Sequence, residues 1–213
     1  MERNLKKIGL VNLAVQLILG TAAVVLAFYS NTLAGRAGLI YLGLGFLVLV
    51  MTYFQMRLEE SERLEKLEFD ELNKTRGSAS LFNVSEAEIF PAQRAREQFE
   101  RFFVPGFTIL VWLLQAGVAY WQWGWLAKVI PPTLKQPTVA MALFGLFALI
   151  LFLLGKYSAG IARLENARLL RPAASYLLLG AYVCFVVSAS LAAAPLGFPK
   201  GDIYVAWVFT GIL

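Results

Sequence analysis

The sequence predicts an all-α integral membrane protein, a polytopic helical bundle. Three observations predict it. First, 59% of the 213 residues are hydrophobic and 15% are charged, against about 25% charged in ordinary soluble domains. A water-facing surface on a chain of this size needs more polar residues than that. Second, the apolar residues gather in blocks near the roughly 20 residues with which a helix crosses a bilayer core about 30 Å thick. Third, lysine and arginine are dense in alternate connections, as the positive-inside rule requires of a chain that threads a membrane repeatedly.

Residues 8–30, IGLVNLAVQLILGTAAVVLAFYS, form the first span, with 23 residues and no charge. The preceding MERNLKK resembles a signal-peptide n-region. The apolar run is longer than the roughly 7–15 residues of a signal h-region, and no A-x-A cleavage site follows, so this is a retained helix. A short connection, NTLAGRAG, leads into a second span over about 39–56. That helix continues without a breaker through MRLEESERLEKLEFDELNK to about Asn73, supported by the i,i+4 pairs Glu59–Arg63 and Glu62–Lys66. Leu58, Leu64, Leu67, Phe69 and Leu72 scatter around its wheel without a coiled-coil seam. The extension therefore reads as a solvated helix, with a partner-binding helix as the alternative.

TRGSASLFNV reads as a loop, and Ser85-Glu86-Ala87-Glu88 is a capping-box start for a helix over about 86–104. Ala95, Phe99, Phe102 and Phe103 fall at i, i+4, i+7 and i+8 on one face, with Arg94, Glu97, Gln98 and Arg101 largely elsewhere. A phenylalanine face beside arginines suits a helix lying in the membrane interface; packing on neighbouring protein is the alternative. Pro105-Gly106 is expected to break or kink the chain at the start of the third span, about 103–127. At that span's far end Trp121, Trp123 and Trp125 form an aromatic belt of the membrane–water boundary, rather than a substrate-stacking cluster. IPPTLKQP is a turn, and span four covers about 138–155. KYSAGIARLENARLLRP is expected to be helical up to the residue before Pro172. Span five covers about 173–195, and APLGFPKGD turns the chain into a final apolar stretch.

The expected organisation is three helical hairpins: five complete transmembrane helices and a truncated sixth. Residues 1–57 make the first hairpin, 58–102 a cytoplasmic charged helix, loop and interfacial amphipathic helix, and 103–158 the second hairpin. Residues 159–172 make a cytoplasmic linker helix, and 173–213 the third hairpin with its second helix incomplete. The charge census sets the topology. Fifteen of the 19 basic residues lie in the N-terminus and the connections after spans two and four. The other four, Arg36, Lys128, Lys135 and Lys200, lie in the remaining connections. The N-terminus and both charged connections are therefore expected in the cytoplasm, and the sixth helix starts outside and heads inward. From Asp202 to Leu213 it would reach only about 18 Å at 1.5 Å per residue, short of the bilayer core. On that basis the chain is expected to be a fragment that continues past Leu213. RLE recurs at 63–65 and 163–165, a match that chance explains.

Composition also bounds the chemistry. There is no histidine and one cysteine, Cys184. An internal disulfide is impossible, a Cys/His metal site nearly so, and a histidine-based triad is excluded. No P-loop or dinucleotide fingerprint occurs. None of the 14 acids falls inside a span, and Lys156 sits at a helix end. Proton relays and ion-coupled carriers place ionisable groups there, so their absence argues against such machinery. The net charge of +5 reflects topology rather than nucleic-acid binding. No catalytic, metal or cofactor site is expected, and the partners expected are the lipid bilayer and a second copy or another membrane protein.

Neutral polar residues do occur in the spans: Asn12 and Gln16 at i,i+4, Gln115, Ser188 and Ser190. They can line a pore, but more often they hydrogen-bond between helices. The sharpest pattern is in span five, where Gly180, Cys184, Ser188 and Ala192 repeat at four-residue spacing. That ridge of small side chains lets another helix approach closely. A reactive thiol at Cys184 is the weaker reading, since no base lies near it in sequence.

Two functions follow from these observations: a membrane-anchoring and assembly module, or a small-solute transporter or channel component using neutral polar residues. An enzyme acting on lipid or on a membrane protein is the third. RLENARLLRPAASYLLLGAY and PKGDIYVAWVFTGIL resemble the polytopic N-terminal region of bacterial SPFH/band-7 proteins of the HflK-like protease-modulator kind. The resemblance implies a bacterial inner-membrane anchor for a scaffold that assembles into large rings, and it assigns no functional residue here.

Overall fold

The computed structural model describes residues 2–76, 91–126, 133–164, 167, 170–198 and 200–212. Among them every regular element is helical: α1 (Glu2–Tyr29), α2 (Leu33–Arg76), α3 (Pro91–Gln98), a π-helical segment (Phe99–Phe103), α4 (Val104–Leu126), α5 (Pro137–Leu164), α6 (Leu170–Ala193) and α7 (Gly201–Ile212). Four stretches among the described residues are long and apolar enough to cross a membrane: Lys7–Tyr29, Leu33–Phe69, Pro137–Leu164 and Leu170–Ala193. The expected capping box at 85–88 lies outside the described residues. The chain divides into two compact units, one of Met1–Thr52 with Val111–Leu213 and one of Tyr53–Leu110.

In the first unit α6 runs antiparallel to α5 and to α2, in registers that can be read from close approaches. Against α5, Gly155 lies at Leu178, where an added Cβ would stand 2.9 Å from Leu178 Cγ; further along, Gly145 lies at Ser188. Against α2, an added Cβ on Gly38 would stand 2.8 Å from Val183 Cγ1, and one on Gly180 would stand 3.3 Å from Leu42 Cδ2. Helix association in lipid gains little from the hydrophobic effect and relies on close packing; glycines on both partners let these backbones approach. The buried apolar core follows the same seams, with Ala23 and Ala27 of α1, Leu42 of α2, Phe144 and Leu151 of α5, and Leu177, Cys184, Val187 and Leu191 of α6.

Three boundaries differ from the sequence expectation. The connection NTLAGRAG shrinks to Ser30–Thr32, because α2 already begins at Leu33. Asn31 takes φ 60° to reverse the chain, and Gly35 and Gly38 sit inside the helix. Secondly, the helix running from Lys156 ends at Leu164, and Pro172 falls inside α6 rather than after a helix. Proline is tolerated there because a first-turn N–H has no intrahelical partner to lose.

The third difference lies in the second unit. Pro105 does not end the helix. The backbone stays helical from Pro91 through Leu126, with the π segment ending at Phe103, two residues before the proline. Its C-cap Val104 donates its N–H to Phe99 O, five residues back. In a regular helix Pro105 would remove one hydrogen bond and clash with the carbonyl four residues earlier. The wider π turn shifts the bonding register and accommodates that fault without breaking the helix.

Candidate functional site

The neutral polar residues of the spans converge on helix seams in the first unit. Asn12 on α1 is fully buried and donates from Nδ2 to Ser158 Oγ on α5 at 3.0 Å. The hydroxyl can instead donate to Asn12 Oδ1 at 3.2 Å. One turn on, Gln16 is 2% exposed and donates from Nε2 to the Leu42 carbonyl of α2 at 3.1 Å. Flipping that amide would set two acceptors against each other, so the contact fixes its orientation. Gln16 Oε1 is left without a hydrogen-bond partner among the described residues. Ser188 on α6 donates to the Met141 carbonyl of α5 at 2.9 Å, while Ser190 turns back to Val187 O of its own helix. The side chain of Gln115 lies outside the described residues.

The small-residue ridge lies on α6. Gly180 and Cys184 are buried and Ser188 and Ala192 half-buried. Gly180 sits between Leu42 of α2 and Leu151 of α5, and Ser188 meets α5. Cys184 is a free thiol in this apolar seam. Pairing the ridge with partners was beyond sequence reasoning, which also missed Gly38, Gly145 and Gly155 as contact points. Isolated glycines in apolar runs carry no periodic signal until their partners are known.

A second polar cluster joins the ends of three connections. The Lys135 N–H donates to Ser30 O at 3.0 Å. Asp202, 3% exposed at the start of α7, accepts from the backbone N–H of Leu33 at 2.7 Å and of Ala34 at 3.1 Å, and from the Thr32 hydroxyl. Thr32 Oγ1 in turn accepts from the Gly35 N–H at 3.1 Å. The Arg36 guanidinium lies over the Phe28 ring at 4.8 Å and donates to Asn31 Oδ1 at 2.6 Å. Sequence reasoning placed Asp202 only as the last charge of the chain. A lone acid after a glycine reads as a local helix cap, and its action on a helix 170 residues earlier has no local signature.

In the second unit Ala95, Phe102 and Phe103 are exposed and Phe99 is half-buried. Phe99 stacks on Phe103 at 4.9 Å between ring centroids, Phe103 on Phe107 at 6.3 Å, and Arg101 lies over Phe102. The face thus extends to Phe107, beyond the expected end of its helix. Glu62 on α2 is gripped by Lys66 at 2.6 Å and by Arg96 of α3 at 3.0 Å. Trp121, Trp123 and Trp125 belong to α4, with side chains outside the described residues. Among the described residues no three His, Cys, Asp or Glu side chains gather as a metal site would need. The buried groups of the first unit are amides, hydroxyls and one carboxylate tied to backbone N–H groups, a set suited to holding helices together. Comparison of the chain with protein-family models, with curated proteins and with solved structures returns no match.

Proposed function

We propose that this chain is a membrane-anchoring and assembly module, whose helices hold one another and their cytoplasmic elements at the bilayer. The observation that carries this reading is the use made of the polar side chains in the spans. Asn12, Gln16 and Ser188 each turn to a neighbouring helix, at Ser158, the Leu42 carbonyl and the Met141 carbonyl. Polar groups spent on interhelical bonds serve packing.

The topology that goes with this reading has five spans, in α1, α2, α4, α5 and α6, with α7 as the last helix of the third hairpin. They form three hairpins with the N-terminus in the cytoplasm of a bacterial inner membrane. The charge-free α4, 23 residues long, supplies the span beyond the four long apolar stretches. Support for the sidedness comes from the bonds Lys135–Ser30 and Asp202–Thr32. They bring together the three connections that the charge census assigns to the outer side. The partners on this reading are the lipid bilayer and a second copy or another membrane protein. The likeness to SPFH/band-7 anchors would make the partner a ring-forming scaffold.

The second reading, a transporter or channel component, is favoured by one observation: Gln16 Oε1 is a buried acceptor with no partner among the described residues. Reconstitution into vesicles separates the two. The anchor reading expects no flux of neutral or ionic small solutes above that of protein-free vesicles. Reproducible, solute-dependent flux that Gln16→Leu abolishes would overturn it.

A further inference from the structure

We propose that Asp202 is an assembly latch, which completes the outer end of α2 from α7 and so joins the third hairpin to the first. A helix begins with four backbone N–H groups that lack intrahelical partners. In α2 the N–H of Leu33 and of Ala34 go to the two Asp202 carboxylate oxygens, and that of Gly35 goes to Thr32 Oγ1. The local sequence thus supplies one side-chain acceptor for three amides. The other two bonds arrive from a residue 168 and 169 positions later. The buried carboxylate is compensated by these donors, by the Thr32 hydroxyl, and by the dipole at the start of α2.

The same face of α7 continues the contact. Asp202, Ala206 and Phe209 are buried at i, i+4 and i+7. The Tyr41 hydroxyl donates to Phe209 O at 2.9 Å, and the two rings lie 5.6 Å apart. Residue 202 at residues 33–34 and residue 209 at residue 41 make α7 parallel to the first turns of α2. Spans enter the membrane in chain order, so α1 and α2 form a hairpin before α7 exists. Until then the outer end of α2 has two amides without acceptors. The carboxylate supplies both acceptors at once, so the capping of α2 is completed only when the third hairpin seats. This inference rests on the hairpin order proposed above but not on what the bundle holds, and the exchange experiment is separate from the flux assay that tests the anchoring reading.

Amide hydrogen exchange on the full chain in lipid nanodiscs tests it. Asp202→Asn replaces one acceptor oxygen with a donor that faces the α2 amides. Exchange over 33–35 and over 201–209 is expected to rise together by roughly ten- to a hundredfold, with 144–155 and 177–187 unchanged. Thr32→Val removes the hydroxyl's bond to Asp202 and the acceptor of the Gly35 N–H but leaves the Leu33 and Ala34 bonds to Asp202, and is expected to raise exchange in the same two segments by less. A rise over 33–35 alone would make Asp202 a local cap and overturn the latch, as would no change in either segment. If Asp202→Asn loosens the whole bundle, Thr32→Val decides: opening of both segments supports the latch, and protection of α7 at its wild-type level overturns it.

Discussion

Glu62 shows how one residue sets a local charge balance in the second unit. Its side chain is 12% exposed. Its carboxyl is held below its ordinary value of 4.5, first by the hydrogen bond from Lys66 and then by that from Arg96, against the opposing effect of burial. A carboxyl with a lowered folded-state pKa stabilises the folded form at pH above its unfolded value. That contribution is lost as pH falls through the lowered folded value. The grip of Glu62 on α3 is therefore expected to be constant from neutral pH down to about 4.5 and to weaken below it. Hydrogen exchange over 91–98 in an acid series measures this, and Arg96→Met is expected to flatten the profile. A wild-type profile that is already flat through this range would remove Glu62 as its cause. The Glu62–Lys66 pair was legible in the sequence because both residues lie on one helix. Arg96 was not, because it lies 34 residues further along on another helix.

At the scale of the element, close approach decides which glycines matter. A methyl on Gly155 would meet Leu178 Cγ at 2.9 Å and the Leu178 backbone nitrogen at 3.2 Å, whereas one on Gly160 of the same helix meets nothing within 4 Å. Gly155→Ala is expected to destabilise by about 1–3 kcal/mol through overpacking. Gly160→Ala should be neutral or stabilise by up to about 1 kcal/mol through helix propensity. Unfolding of the two variants in mixed micelles compares them, and equal losses would mean that the α5–α6 seam is looser than the distances indicate. Nothing in the sequence separates these two glycines, since the difference lies entirely in what α6 presents opposite each. The π turn before Pro105 is local by contrast, with no buried residue and with the Val104 N–H on Phe99 O. The proline was visible as a fault, and its repair is a shift in backbone bonding within the same helix.

At the scale of the molecule, cysteine labelling reads the side on which each connection lies. Cys184 is buried, so the wild-type chain serves as the blank for a membrane-impermeant maleimide. Lys200→Cys and Lys135→Cys are expected to label on intact cells. Ser61→Cys should label only after the membrane is opened. The reverse pattern would invert the proposed topology, and labelling of all three on intact cells would break the hairpin order.

The sequence by itself determined an all-α reading with segments long and apolar enough to cross a membrane, because long uncharged runs leave no other way to satisfy a backbone in lipid. It also determined that Asn12 and Gln16 share one helical face, since spacing alone places them there. Only the tertiary structure decided where α2 begins, which glycines touch a neighbour, and that Asp202 caps a helix 170 residues before it. Those outcomes depend on pairings between distant segments. Each such pairing is a contact whose energy neither partner carries alone, so no local pattern encodes it.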